Sequence, residues 1–158
     1  MEQPYHTARI ATVALDDASI IRRTPEVEHE RRVAMFDLVE ENHVALMDAP
    51  GGPYDLFISV RDNRLTLRFI PPAHDAVDVV VPLAPFRGII KDYFLMCESY
   101  YDAIKFAPAD RIQTLDMARR AVHNEGSELL QAQLAHVLET DLSTARRLFT
   151  LICVLHIK

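Results

Sequence analysis

The segment from Arg119 to Leu130, RRAVHNEGSELL, groups side chains that could do chemistry. Two arginines precede a histidine, an amide, two carboxylates, a hydroxyl and a glycine. Arginine pairs well with the two oxygens of a carboxylate or phosphate, and histidine titrates near neutral pH. We therefore consider an anion-binding site near His123–Ser127, formed by six residues: Arg119, Arg120, His123, Asn124, Gly126 and Ser127.

The local helix signal predicts how this site would form. Asn124, Gly126 and Ser127 together cost about 2 kcal/mol of helix propensity relative to alanine, so we expect a break at Asn124–Gly126. Gly126 would take the left-handed cap and Ser127 would N-cap the next helix, whose free amides could bind a phosphate or an acidic partner. The alternative is one long helix, because the apolar spacing continues from Val122 to Leu134 and a glycine permits close packing.

The same segment lacks a complete catalytic signature. Ser127 and His123 could share a helix face, but a serine nucleophile also needs an oxyanion hole and an orienting acid. His123 also resembles the phospho-accepting histidine of phosphotransfer bundles, although Glu125 would repel a phosphoryl group. We assign no catalytic residue. An enzyme that uses Arg87 or Arg120 for an anionic substrate and His123 or Glu125 as acid or base remains the competing hypothesis.

Metal and cofactor sites are not expected. Glu26 and His29 have the Glu-x-x-His spacing of di-iron bundles, but no second copy faces them, so a solvated helix surface explains them. Cys97 and Cys153 have no metal-ligand spacing and are expected to be buried free thiols. We therefore predict no metal and no cofactor.

The overall charge limits the partners. A net charge of −6 argues against a general nucleic-acid binder, even though fourteen arginines outnumber three lysines. Four arginine pairs stand out, at 22–23, 31–32, 119–120 and 146–147, and RNA binding would require them to gather on one face. No secretory signal is present, and the longest apolar stretch, Leu148 to Ile157, is shorter than the ~20 residues of a membrane span. We expect a soluble, cytoplasmic protein without a membrane partner.

The elements that must position these residues divide the chain in two. Residues 1–83 are strand-rich and residues 84–158 are helical, within a single globular domain 1–158. This order predicts an α+β fold: a small antiparallel sheet with one early helix, followed by a C-terminal bundle of three or four helices.

The first half contains the clearest local patterns. A strand is expected over Arg9–Leu15, and a helix from Thr24, with Pro25 in its first turn, to a stop near Asn42. A two-residue Asp62-Asn63 turn predicts a hairpin in which three apolar pairs share one face: Val60 with Leu65, Ile58 with Leu67, and Leu56 with Phe69. A further strand, Val77–Leu83, turns Asp78 away from the apolar side.

The second half follows a helical period. An apolar seam runs from Phe86 to Ile104, another helix starts near Ala109, and the last helix begins after the N-cap Asp141. From Leu148 onward this last helix is apolar on nearly every side. Such a helix belongs in the middle of a bundle or in an oligomer interface. A strand here is a minority alternative, because many of its residues are β-branched.

Several blocks resemble a known family: VEHERRVAMFDLVEEN, GGPYDLFISVRDNRL, PFRGIIKDYFLMCESYYDAI, and HNEGSELL followed by DLSTARRLFTLICVLH. They are similar to uncharacterised protein family 0262, an alphaproteobacterial family of unknown function, and the likeness runs from Ile10 to His156. The resemblance implies a bacterial cytoplasmic protein and a complete chain rather than a fragment. It supplies no activity, ligand or catalytic residue.

The leading functional hypothesis is a non-enzymatic regulatory or adaptor protein that acts through protein–protein contacts, as a homodimer or with another protein partner. It depends on the missing catalytic signature, the acidic balance and the apolar last helix. The alternative is an enzyme or small-ligand binder for an anionic compound, with its site near His123–Ser127.

Overall fold

A computed structural model describes residues 7–20 and 24–155. The described strands are β1 (Ile10–Leu15), β2 (Val44–Leu46), β3 (Tyr54–Arg61), β4 (Arg64–Ile70), β5 (Val77–Pro82) and β6 (Leu138–Thr140). The described α-helices are α1 (Pro25–Glu40), α2 (Arg87–Phe106), α3 (Ala109–Leu134) and α4 (Leu142–Leu155), with a short 3₁₀ turn at Ala84–Phe86. Most strands precede most helices, which confirms the α+β class.

The main sheet has the strand order β1-β3-β4-β5. β3, β4 and β5 are antiparallel neighbours, whereas β1 is parallel to β3. The sheet is therefore mixed rather than wholly antiparallel as predicted. The reason is the connection: the chain returns from β1 through α1, so it enters β3 from the same end, and two strands joined by such a crossover are parallel.

The β3–β4 hairpin has the predicted register. Asp62 and Asn63 form the turn with φ of 51° and 60°, the left-handed backbone that a type I′ turn needs at both central positions. Val60 lies opposite Leu65, Ile58 opposite Leu67, and Leu56 opposite Phe69. These side chains form one apolar face of the sheet, which the helices cover.

Helix α1 begins and ends where the sequence predicts. The Thr24 hydroxyl accepts a hydrogen bond from the Val27 N–H at 3.3 Å. At the other end, the Asn42 amide donates to the Leu38 carbonyl at 2.8 Å and to the Ile10 carbonyl at 3.0 Å, and its oxygen accepts from the Ile10 N–H at 2.6 Å. Asn42 thus satisfies the helix end and ties it to β1.

Helices α2 and α3 form a hairpin, and α4 packs against both α3 and α1. Asp141 caps α4 as predicted, because its carboxylate accepts from the Thr144 N–H at 2.8 Å. Eight of the fourteen α4 residues are buried, among them Phe149 and Leu151, which are fully buried. So apolar a helix was expected either in the middle of a bundle or in an oligomer interface, and α4 lies in the middle of the bundle. The alternative of a strand in this segment is wrong.

A second, two-stranded sheet joins distant parts of the chain and was not predicted. β2 pairs antiparallel with β6, so that Leu46 lies opposite Leu138. The Thr140 hydroxyl also donates to the His43 carbonyl at 2.6 Å. This small sheet fixes the start of α4 relative to the end of α1.

Candidate functional site between α3 and α4

Helix α3 runs without interruption through the segment in which a break was expected. Gly126 is fully inside the helix, and a β-carbon there would overlap the Phe149 ring of α4. The Ser127 side chain is fully buried, and its hydroxyl donates to the His123 carbonyl at 2.8 Å, one turn earlier. The predicted break is therefore wrong. The alternative, a long helix whose glycine permits close packing, is confirmed.

The continuous helix changes how the six candidate residues could bind an anion. No new helix N-terminus exists at Ser127, so its backbone amides are used within α3. Gly126 and Ser127 are buried in the protein interior and are not among the residues that line the depressions between α3 and α4. Arg119, Arg120, His123 and Asn124 do lie together, on the side of α3 that borders α4.

These four residues line a surface depression of about 460 Å³. Tyr93 of α2 and Arg146 of α4 complete its wall, and sequence reasoning did not place either residue at the site. Tyr93 was interpreted as a core residue of the α2 seam, and Arg146 only as one member of an arginine pair. The depression is thus built from three helices, with its charged groups on α3 and α4.

The guanidinium groups at one end are held by a single carboxylate. Both Arg119 and Arg120 form ion pairs with Asp116, one turn earlier on α3, the second at 3.1 Å. Arg119 also lies over the Tyr100 ring, 4.5 Å from its centre, in a cation–π contact. Asp116 has its pKa lowered by hydrogen bonding to Arg119 and by the charge of Arg120, so it stays ionised. One carboxylate orients two arginines without neutralising both.

Arg146 approaches the same depression from α4. Its Nε donates to the Asn124 side-chain oxygen at 2.9 Å, which fixes the guanidinium across the α3–α4 boundary. Since the Asn124 amide is neutral, the charge of Arg146 is not cancelled by this contact. Asn124 therefore lies in the wall of the depression, where its side chain orients an arginine.

His123 lies between two aromatic rings at the base of the depression. The ring centres of Tyr93 and Phe149 are each 5.2 Å from that of His123. Its Nε2 is 2.8 Å from the Thr150 hydroxyl, and that hydroxyl donates its own proton to the Arg146 carbonyl at 3.0 Å. The Nε2 contact with Thr150 therefore ties the imidazole ring of α3 to α4.

The environment keeps His123 neutral near pH 7. Burial lowers the pKa of the imidazole below its usual value, and the nearby charges of Arg146 and Arg119 lower it further. The Ser127 hydroxyl is 3.5 Å from Nδ1 and donates its proton to the His123 carbonyl at 2.8 Å. A fully buried hydroxyl in that arrangement cannot attack a substrate, so the serine–histidine pair is structural.

A second depression, of about 220 Å³, adjoins the first and shares His123 and Arg146 with it. Ser143, Arg147 and Thr150 of α4 form the rest of its lining. Arg147 donates to the Ser143 hydroxyl at 2.7 Å and pairs with Glu41 at 3.3 Å. Two of the four arginine pairs therefore gather along the α3–α4 boundary.

The remaining candidates lie elsewhere. Arg31 is buried on α1 and pairs with Glu28 at 2.9 Å, whereas the neighbouring Arg32 is exposed. The pair Arg22-Arg23 lies outside the described residues. Glu26 and His29 are exposed in the first turns of α1. No residue of α1 lines either depression, and Glu41, which directly follows α1, is linked to them by its ion pair with Arg147.

A family model supports the relationship suggested by the sequence blocks, since the model of Uncharacterised protein family (UPF0262) matches residues 7–158. The chain belongs to this family. A UPF0262 protein of Ruegeria sp. (strain TM1040) is 49% identical over 155 residues, covering 94% of this chain and 98% of that protein. One from Rhizobium leguminosarum bv. trifolii is 52% identical over 151 residues, with 94% of each chain covered. One from Brucella canis is 51% identical with the same coverage.

Membership of UPF0262 identifies an uncharacterised bacterial protein and brings no activity, ligand or site residue with it. No solved structure matches the fold. Within residues 7–20 and 24–155, no helix is long and apolar enough to cross a membrane. A third depression, of about 390 Å³, lies beside the β2–β6 sheet and has no arginine among the described residues that line it, so the two depressions at the α3–α4 boundary carry the argument for an anionic ligand.

Proposed function

We propose that this UPF0262 protein is a non-enzymatic regulatory or adaptor protein of the bacterial cytoplasm that binds a phosphate- or carboxylate-bearing compound between α3 and α4. One observation carries the proposal: Arg119, Arg120 and Arg146 line the same depression of about 460 Å³. Pockets that bind small molecules commonly have volumes of 300–1,000 Å³, so the size suits a small anionic ligand.

The charge distribution supports an anionic ligand. The whole chain has a net charge of −6. Within the described residues, however, the carboxylate that contacts the arginines of the larger depression is that of Asp116. Guanidinium groups bind carboxylates and phosphates through two parallel hydrogen bonds, and such charge-assisted bonds are stronger than neutral ones. A local surplus of positive charge on an acidic protein favours a small anion over a long polyanion.

The arrangement also supports binding rather than catalysis. Arg119 and Arg146 are held by neighbouring side chains before any ligand arrives, which lowers the entropy cost of binding. His123 is neutral, half-buried and hydrogen-bonded through Nε2 to Thr150, so it shapes the base of the depression. We infer that His123 shapes the base of the depression and that the arginines provide the affinity for the anion.

Isothermal titration calorimetry with inorganic phosphate and with citrate, in a buffer free of competing anions, tests the proposal. We expect saturable binding to the native chain. The affinity is expected to fall by about tenfold in Arg120→Gln and by about tenfold in Arg146→Gln, because each variant loses one charge-assisted contact. Circular dichroism checks that both variants fold. Arg111→Gln is the matched control: Arg111 is an exposed arginine on α3, about two to three turns from Arg120.

Two results would count against an anion site here. One is that neither probe, at millimolar concentration, produces heat in calorimetry or chemical-shift changes in NMR spectra. The other is an equal loss of affinity in Arg111→Gln, because this would indicate a diffuse effect of net charge.

Protein–protein contact is the second candidate function, and a different surface favours it. In the sequence, the apolar last helix favoured an oligomer interface. In the structure, α1 and α3 cover α4, so the apolar character of this helix does not support an oligomer. The far end of the α2–α3 hairpin instead exposes large apolar side chains, with Phe106 91% exposed and Met117 64% exposed. We propose that this end contacts a second copy of the chain. Multi-angle light scattering would then give a dimer for the native chain and a monomer for Phe106→Ser; a monomeric native chain removes this candidate.

A further inference from the structure

The two depressions share a wall, which bears on the kind of ligand that fits them. His123 and Arg146 line both, so they are consecutive compartments of one groove along the α3–α4 boundary. Arg119 and Arg120 lie in the first compartment, and Arg147 lies in the second with Ser143 and Thr150. Cationic side chains are therefore present in both compartments, with Arg146 between them.

We propose that the groove binds a small compound carrying two separated anionic groups, such as a bisphosphate, with one group in each compartment. This rests on the anion site proposed above and specifies its ligand class. Arg120 and Arg119 hold the first group, Arg147 and the Ser143 hydroxyl hold the second, and Arg146 contributes to both.

The helix geometry sets the spacing of the two groups. Helix α3 ends at Leu134 and α4 begins at Leu142, and two packed helices joined by so short a connection run antiparallel. Arg120 lies one turn from Asn124 in one direction, and Ser143 lies nearly one turn from Arg146 in the other. At 1.5 Å per residue, the backbone positions of Arg120 and Ser143, at opposite ends of the groove, are on the order of 10 Å apart along the helices. A single phosphate cannot span that distance, whereas two groups on a short carbon chain can.

The ends of the groove favour a small molecule over a polymer. Asp116 holds Arg119 and Arg120 at one end, and Glu41 pairs with Arg147 at the other. A nucleic-acid backbone that continued past either end would meet one of these carboxylates. Arg147 pairs with Glu41 at 3.3 Å, and the Glu41 side chain is 79% exposed, so a ligand oxygen can replace it at small cost.

Titration calorimetry with phosphonates tests the proposal on the full chain. The probes are methylphosphonate, which has one anionic group, and methane-, propane- and hexanebisphosphonate, which differ in the separation of two. We expect affinity to pass through a maximum with chain length, and the best bisphosphonate to bind at least about tenfold more tightly than methylphosphonate. The bisphosphonates carry similar charge, so a dependence on length reports geometry.

Two variants locate the second group. Arg147→Gln is expected to reduce the affinity for the best bisphosphonate to about the affinity for methylphosphonate. The affinity for methylphosphonate itself is expected to stay unchanged. Glu41→Gln is expected to increase the affinity for the best bisphosphonate several-fold, because the carboxylate that competes for Arg147 is removed. Neither side chain is part of the buried core, and thermal unfolding checks that both variants fold.

The outcomes separate this inference from the proposed function. If methylphosphonate binds with dependence on Arg120 and Arg146 but a second group adds no length-dependent affinity, the anion site stands and the two-group ligand is wrong. If no phosphonate binds, the two-group ligand is wrong, and the anion site is wrong as well if inorganic phosphate and citrate also fail to bind. A short single-stranded oligonucleotide that binds more tightly than every bisphosphonate, with the same dependence on Arg147, would overturn the assignment to a small molecule.

Discussion

Gly126 of α3 lies directly against the ring of Phe149 of α4, at a distance that leaves no room for a β-carbon on residue 126. This contact decides the structure of the segment that contains most of the candidate site residues. It brings α3 and α4 close enough for Arg146 to reach Asn124 and for Thr150 to reach His123. The groove exists because the two helices approach at a glycine.

The first prediction concerns this close approach. Gly126→Ala is expected to destabilise the protein by about 1–3 kcal/mol, because overpacking of the Phe149 ring outweighs the gain of about 1 kcal/mol in helix propensity. Urea denaturation measures the change in the free energy of unfolding. Gly88→Ala is the matched control, since Gly88 is an exposed glycine of α2 with no atom near the position of a β-carbon. The control is expected to be neutral or stabilising, and equal destabilisation of the two variants would contradict the packing argument.

A second prediction concerns the end of α1. Asn42→Ala removes three hydrogen bonds that join the helix end to β1, two of them to the backbone of Ile10. At about 1 kcal/mol for each bond, we expect a loss of about 2–3 kcal/mol in urea denaturation. Asn42→Asp keeps the acceptor and loses both donor contacts, so its loss is expected to be at least as large. An unchanged midpoint in Asn42→Ala would show that water replaces these bonds.

The third prediction is a pH dependence caused by His123. Its pKa in the folded state is lowered, by burial first and then by Arg146 and Arg119, so the unfolded chain binds this proton more readily than the folded one. Stability therefore rises with pH across this titration, and it falls as the pH decreases from about 7.5 through 6.5, the pKa of an unperturbed histidine. Urea denaturation of the native chain and of His123→Gln across that range isolates the effect. The expected result is a smaller decrease in the variant; parallel curves would contradict it.

A fourth prediction links His123 to ligand binding. An anion in the larger depression would offset the charges of Arg146 and Arg119, which lower the His123 pKa. We therefore expect the pKa of His123 to rise when phosphate or the best bisphosphonate is bound, and the affinity for the anion to increase as the pH falls. Titration of the His123 ring signals by NMR, with and without the probe, measures the shift. Arg111→Gln should show the same shift as the native chain, and Arg146→Gln a smaller one.

A fifth prediction separates the buried serine from the site. Ser127→Ala is expected to leave phosphonate affinity within about twofold of the native value, because the hydroxyl bonds to the His123 carbonyl inside α3 and Ser127 lines neither of the two depressions. Calorimetry measures the affinity, and urea denaturation reports any change in stability separately. A loss of binding as large as that of Arg146→Gln would instead return Ser127 to the anion site.

The elements that the sequence predicts well are those determined by neighbouring residues. The Asp62-Asn63 turn and the alternation of side chains on either side of it both require Val60 to face Leu65, and the sheet has that register. The Thr24 and Asp141 caps were also recognisable, since each bonds to an amide three residues later. These interactions span few residues, so residue type and spacing are sufficient to identify them.

The elements that the sequence does not predict depend on distant contacts. Helix propensity favours a break at Gly126, but the contact with Phe149, 23 positions along the chain, is what stabilises the continuous helix. The three-residue strands β2 and β6 are too short for a periodic signal, and β1 becomes parallel to β3 only through the crossover. Arg146 reaches the site because α4 packs antiparallel on α3. Four of the six residues predicted for the anion site lie together on the surface because they fall within two turns of one helix.

The burial of α4 has a consequence for how the protein is made. Residues 142–155 leave the ribosome after the sheet and the three other helices, yet Phe149 and Leu151 are among the most buried side chains of the core. Until they emerge, the apolar sides of α1 and α3 that α4 covers remain exposed. Exposed apolar surface on a growing chain promotes aggregation and chaperone binding. Nascent chains that stop before residue 142 should therefore be sensitive to protease, and protection should appear only once α4 is available to complete the core.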